Sequence, residues 1–169
     1  FKLQIIPFDK MQQDILESIK SEMKNTYKIR ADVSAAERLP KDSYNPLRKQ
    51  FLADKILEFL SKYNTRTLGI TNKDIYAEKL NFVFGQAQLK GNVALISITR
   101  LDPMFYEKSF DRQLLTTRAV KESVHEVGHM LGLNHCPNNK CVMSFSNTLA
   151  DVDRKSRNLC DMCKLQLGI

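Results

Sequence analysis

The chain has 169 residues, with 26 Lys plus Arg against 19 Asp plus Glu and a formal net charge of +7. That length allows one domain with a sizeable core, and 43% apolar with 27% charged residues argues against intrinsic disorder. No apolar run approaches the ~20 residues that a membrane helix needs.

The chain starts Phe1-Lys2-Leu3-Gln4-Ile5-Ile6-Pro7-Phe8, without an initiator Met, so a trimmed or processed N-terminus is expected. Its apolar stretch stops at Pro7 and Asp9, too short for a signal-peptide core. The expected location is cytoplasmic, with thiols kept reduced.

Leu3 to Pro7 reads as a strand. Asp9 is placed to cap the next helix, with Gln12 three residues on in the reciprocal position. Met11, Ile15, Ile19 and Met23 then form one apolar stripe. From Tyr27 to Val33 apolar and charged residues alternate, which predicts a strand, and 34–45 reads as a polar loop. Asn45-Pro46 predicts a helix start, continued by Phe51, Leu52, Ile56, Phe59 and Leu60. Strands are expected at Arg66 to Thr71 and Val93 to Ile98, with Phe82 to Gly85 as an edge-strand candidate. A long helix follows, its apolar face formed by Leu114, Leu115, Ala119, Val120, Val124, Val127 and Leu131. This order, roughly βαβαβββ and then the helix, implies a mixed α/β sandwich with helices packed on a sheet. The basic residues are scattered. The densest stretch, Arg154-Lys155-Ser156-Arg157, follows Asp151 and Asp153 and reads as solvated surface, so nucleic acid is disfavoured as a partner.

The chain's three His and four Cys all fall between His125 and Cys163. His125 and His129 are one helical turn apart, so both imidazoles can converge on one ion. Gly132 can take the left-handed conformation that ends a helix and lets the chain bring His135 back. Three imidazoles would leave a fourth zinc position open to water, as in catalytic sites. Glu126 points about 100° around the helix from His125, so it need not ligate. It can instead take a proton from the water and later deliver it to a leaving amine.

Cys136-x4-Cys141 and Cys160-x2-Cys163 are two closely spaced pairs, which suits a tetrahedral structural zinc site. Two disulfides, a redox pair at Cys160 and Cys163, and free buried thiols are the alternatives. Cys136 directly follows His135 and could compete with it for the first ion.

The extended His motif, followed by Cys141-Val142-Met143, resembles the metzincin clan of zinc peptidases. With the cysteines included, residues 125–163 resemble the archaemetzincin family. The spacer between Met143 and Cys160 is one residue shorter than in that family's usual pattern. Asn81 to Gly85 also resembles its edge-strand segment. The resemblance implies a single zincin-like domain over 1–169: a mixed twisted sheet and active-site helix to about residue 132, then a small zinc-stabilised part over about 133–169. It implies a Met-turn at Met143 and two zinc ions per chain. One would be catalytic, on His125, His129 and His135; the other structural, on Cys136, Cys141, Cys160 and Cys163. A monomeric peptidase acting on peptides or proteins is expected, with an extended substrate paired along Phe82 to Gly85. The competing expectation is a zinc-stabilised binding protein with an idle hydrolytic site.

Overall fold

The computed structural model describes residues 1–169. In chain order its elements are β1 (Lys2–Pro7), α1 (Gln13–Tyr27), β2 (Arg30–Val33), β3 (Tyr44–Asn45), β4 (Gln50–Leu52), α2 (Ala53–Leu60), β5 (Arg66–Thr71), β6 (Ile75–Tyr76), β7 (Gly85–Ala87), β8 (Val93–Ser97), α3 (Arg112–Met130), α4 (Leu149–Arg154) and α5 (Asp161–Leu167). The main sheet runs β2-β1-β5-β8-β7. Its strands are parallel except β7, which pairs antiparallel to β8 at the edge. A small sheet, β3-β4-β6, lies apart from it.

Period-two alternation divides the central strands between two cores. Leu3 and Ile5, Leu68 and Ile70, and Ala94 and Ile96 face α1 and α3. Ile6, Val93 and Leu95 join Ala53, Ile56, Leu57 and Leu60 of α2 on the other side. Helices therefore cover both faces, and the expected mixed α/β architecture is the one observed. The larger core is continuous from β1 to Val142, Met143, Val152 and Cys163, so the C-terminal segment packs on the same apolar mass as α3. No helix is long and apolar enough to cross a membrane.

Four local expectations are corrected. Asp9 caps nothing: the sheet still holds the chain there, with Phe8 N–H bonded to Ile70 O and Asp9 N–H to Glu37 O, and α1 starts at Gln13 without a side-chain cap. Tyr27 belongs to α1, not to a strand. Its ring is buried and its hydroxyl donates to Val124 O at 2.6 Å, so tertiary packing overrides the alternation and β2 begins only at Arg30. Asn45 does use its side-chain oxygen as a cap, accepting from Leu47 N–H (3.1 Å) and Arg48 N–H (3.4 Å). What it caps is a turn between β3 and β4, closed by Lys49 at φ 56°; α2 starts at Ala53. Finally, the edge strand is Gly85–Ala87, and only Gly85 of the expected segment lies in it. Val83 N–H is drawn to Ile75 O of β6, and Phe82 packs edge-on against Phe84, so these residues leave the sheet line.

Gly69 of β5 allows α2 to sit close on the sheet. A Cβ there would lie 2.8 Å from Leu60 Cδ1 and 3.0 Å from Phe8 Cε2. Gly69→Val is expected to cost about 1–3 kcal/mol by overpacking, read as a lower urea midpoint at unchanged m value.

Candidate active site

Asp111 caps α3, its carboxylate accepting from Leu114 N–H at 3.1 Å. Nineteen residues later the helix ends in a Schellman turn. Gly132 N–H bonds to His129 O and Leu133 N–H to Gly128 O, both at 2.9 Å. Gly132 itself takes φ 107°, a conformation that side-chain-bearing residues rarely adopt.

The turn places His135 beside the two helical histidines. One ring nitrogen from each of His125, His129 and His135 lies within 4.8 Å of the others. His125 Nδ1 is 2.8 Å from Val142 O and His129 Nδ1 is 2.7 Å from Leu133 O. A carbonyl only accepts, so each Nδ1 carries the proton and each Nε2 presents a bare lone pair. The Nε2 atoms of His125 and His129 approach to 3.1 Å. Two lone pairs at that distance repel, and a shared cation satisfies both. The separation is close to the ~3.3 Å edge of a tetrahedron built on zinc–nitrogen bonds of about 2.0–2.1 Å. Burial, then the Lys155 ammonium, holds His125 well below the usual imidazole range. Burial likewise lowers His129 and His135. All three are thus held in the neutral form that a metal requires.

The four cysteines form a second group. Cys136 Sγ lies 3.8 Å from Cys160 Sγ, and Cys141 Sγ lies 3.8 Å from Cys163 Sγ. A disulfide would need about 2.05 Å, whereas a tetrahedral zinc–thiolate site with bonds of about 2.3 Å has edges of ~3.8 Å. Backbone N–H groups of Met143 (3.4 Å) and Cys160 (3.3 Å) point at Cys141 Sγ. The backbone of Cys163 is the chief cause that pulls the Cys160 thiol down to about 7. Cys136 thus sits with the cysteines and His135 with the histidines.

Met143 is fully buried, and its Sδ and Cε occupy the space where Gly128 lacks a side chain. The turn that carries it is tied to the His segment by Cys136 N–H donating to Met143 O at 2.9 Å.

His125, Glu126, His129 and His135 line a cleft of about 570 Å³ together with Asn81 to Ala87 and Phe145 to Asn147. Burial, then the Glu122 carboxylate, pushes Glu126 well above the usual carboxylate range.

Sequence reasoning missed several residues behind this site. Lys155, read as solvated surface, is 1% exposed. Its Nζ pairs with Glu122 Oε1 (3.1 Å), donates to Ser144 O (3.2 Å) and lies 3.5 Å from His125 Nδ1. Glu122 is one turn before Glu126, so its place on the same helix face was available from the spacing; its partner across the chain was not. The Val142 and Leu133 carbonyls carry no side-chain signal at all.

A protein-family model described as Peptidase family M54 matches residues 5–168. The archaemetzincin of Methanocaldococcus jannaschii is 42% identical over 163 residues, covering 96% of this chain and 90% of that protein. The crystal structure of archaemetzincin from Methanopyrus kandleri superposes with a TM-score of 0.88 at 38% identity, covering 99% of this chain and 93% of that one. That from Archaeoglobus fulgidus, complexed with malonate, gives 0.87 at 39% identity, covering 98% and 99%. Fold and site thus define a member of a zinc metallopeptidase class. The chain belongs to Peptidase family M54, the archaemetzincins.

Two outcomes test the site's electrostatics. Lys155→Met strands the Glu122 charge and is expected to cost about 3–5 kcal/mol in urea unfolding, most of it recovered in Lys155→Met/Glu122→Gln. In chelator-treated protein, Glu126→Gln is expected to raise Tm at neutral pH. The sign follows from linkage. The folded pKa is raised, so the native state holds its proton above pH 4.5, and ionising Glu126 at higher pH costs stability. The gain should vanish below pH 4.5; each ~1 kcal/mol corresponds to about 2–4 °C in a chain of this size.

Proposed function

We propose that the chain hydrolyses peptide bonds, with His125, His129 and His135 holding a catalytic zinc and Glu126 acting as general base and then general acid. The observation that carries this reading is the convergence of the imidazole nitrogens in a cleft that Glu126 also lines. Zinc, when bound, supplies a Lewis acid for the scissile carbonyl and an acidified water. Glu126 takes the proton of the attacking water and carries it to the leaving amine. The Val142 and Leu133 carbonyls keep His125 and His129 in the ligating tautomer, and Met143 gives the imidazoles an apolar floor.

The substrate is a peptide or protein in extended form. Phe84 O accepts from Ser97 N–H and Gln88 N–H donates to Val93 O, so bonding to β8 alternates along β7. The N–H and C=O of Gly85 and Ala87 therefore point off the free edge, where a substrate strand can pair with little side-chain preference.

Cys136, Cys141, Cys160 and Cys163 hold a second, structural zinc that stabilises the small part over about 133–169. The four unpaired thiols suit a cytoplasmic setting, and one chain supplies every site residue, so a monomer suffices.

The test is cleavage of an unbiased peptide library by zinc-loaded protein. Glu126→Ala should keep two zinc ions per chain by mass spectrometry while losing roughly 10²–10⁴-fold in rate. Equal cleavage by both proteins would refute the role of Glu126, and specific peptide binding without turnover would favour a binding protein. Cys160→Ser should leave one tightly held zinc.

A further inference from the structure

We infer that Gly85 is the positioning residue for Glu126, the contact that fixes its carboxylate relative to a substrate strand on β7. This rests on the reading of Glu126 as the base and of β7 as the substrate edge.

Gly85 is not one of the glycines with positive φ, so its backbone conformation does not call for glycine. Space does. A Cβ on Gly85 would lie 2.8 Å from Glu126 Cγ, 2.9 Å from Glu126 Oε1 and 2.7 Å from Leu95 O. The bare Cα of an edge-strand residue is therefore the wall against which the carboxylate rests. Glycine inside a strand weakens it and marks a close approach, and here the approaching groups are the Leu95 carbonyl of β8 and the Glu126 side chain. On the cleft side the Glu126 carboxylate packs against Gly85.

The same residue faces the substrate. Gly85 N–H and C=O lie off the free edge of β7, while its Cα touches Glu126. One residue thus sets both where a paired peptide backbone runs and where the proton acceptor stands. Any side chain at position 85 would separate the two.

The experiment is a double-mutant cycle on zinc-loaded protein with Gly85→Ala and Glu126→Asp. Gly85→Ala should lower kcat by about 10²-fold, the scale of a 1 Å misplacement, with zinc content unchanged. KM should move by less than roughly threefold, since uniform binding is not what is lost. Aspartate retracts from the added methyl, so in the Glu126→Asp background the same substitution should cost less than about threefold. Equal losses in both backgrounds would overturn the inference. Independently of activity, a crystal structure of Gly85→Ala should show the Glu126 carboxylate displaced by more than the adjustment of β7 away from Leu95 O. An unmoved carboxylate would overturn the inference whatever the rate. If Gly85→Ala fails to fold, Gly85→Ala/Glu126→Ala decides. A folded double variant places the conflict on the Glu126 side chain, as inferred; one that also fails places it on Leu95 O and refutes the inference. If Glu126→Ala cleaves as fast as wild type, the base reading fails by itself, and the crystal structure still decides what Gly85 positions.

Discussion

Gly132 ends α3 at the point where two backbone bonds, Gly132 N–H to His129 O and Leu133 N–H to Gly128 O, can close together. That turn fixes much of the site at once. It frees Leu133 O to accept from His129 Nδ1, so the residue that stops the helix also sets the tautomer of the second histidine. It reverses the chain so that His135 meets the helical pair. A continued helix would carry residue 135 away along the axis, at about 1.5 Å per residue.

The C-terminal segment completes the site from behind. Val142 O orients His125, Met143 fills the space that Gly128 leaves open, and Lys155 reaches through the core to Glu122 and Ser144 O. A fully buried ion pair is weak evidence for stability, because desolvation offsets much of its attraction. It does fix register: the ammonium has partners only when the segment over 141–155 lies in one place against α3. The cysteine contacts involve the same segment: Cys141 Sγ lies 3.8 Å from Cys163 Sγ and accepts from Cys160 N–H. The segment over 133–169 has only short helices, and its buried residues Val142, Met143, Val152 and Cys163 pack on the core shared with α3.

How much was legible from sequence followed the range of the controlling interaction. The His and Cys groups, the left-handed Gly132 and the strands of the buried sheet are encoded by spacing and alternation, and the structure groups the three imidazoles and the four thiols separately. Tyr27 was misassigned because a hydrogen bond to Val124, far away in the chain, keeps it helical. Asn45 was misassigned because a capping side chain serves a turn as well as a helix. Lys155 looked like surface because its flanking residues are surface, and nothing local marks its partner in α3. Gly85 was read only as a strand residue. Its contact with Glu126 joins two elements that the sequence keeps forty-one positions apart.

The account depends on each ligand group closing on its own ion, with His135 and Cys136 pointing into different sites although adjacent in the chain. Anomalous diffraction at the zinc edge from crystals of zinc-loaded protein tests this directly. The account predicts two peaks, one at about 2.0–2.1 Å from Nε2 of His125 and His129 and a nitrogen of His135, the other at about 2.3 Å from the four Sγ atoms. A single peak shared by His135 and Cys136, or none at the histidines, would contradict it.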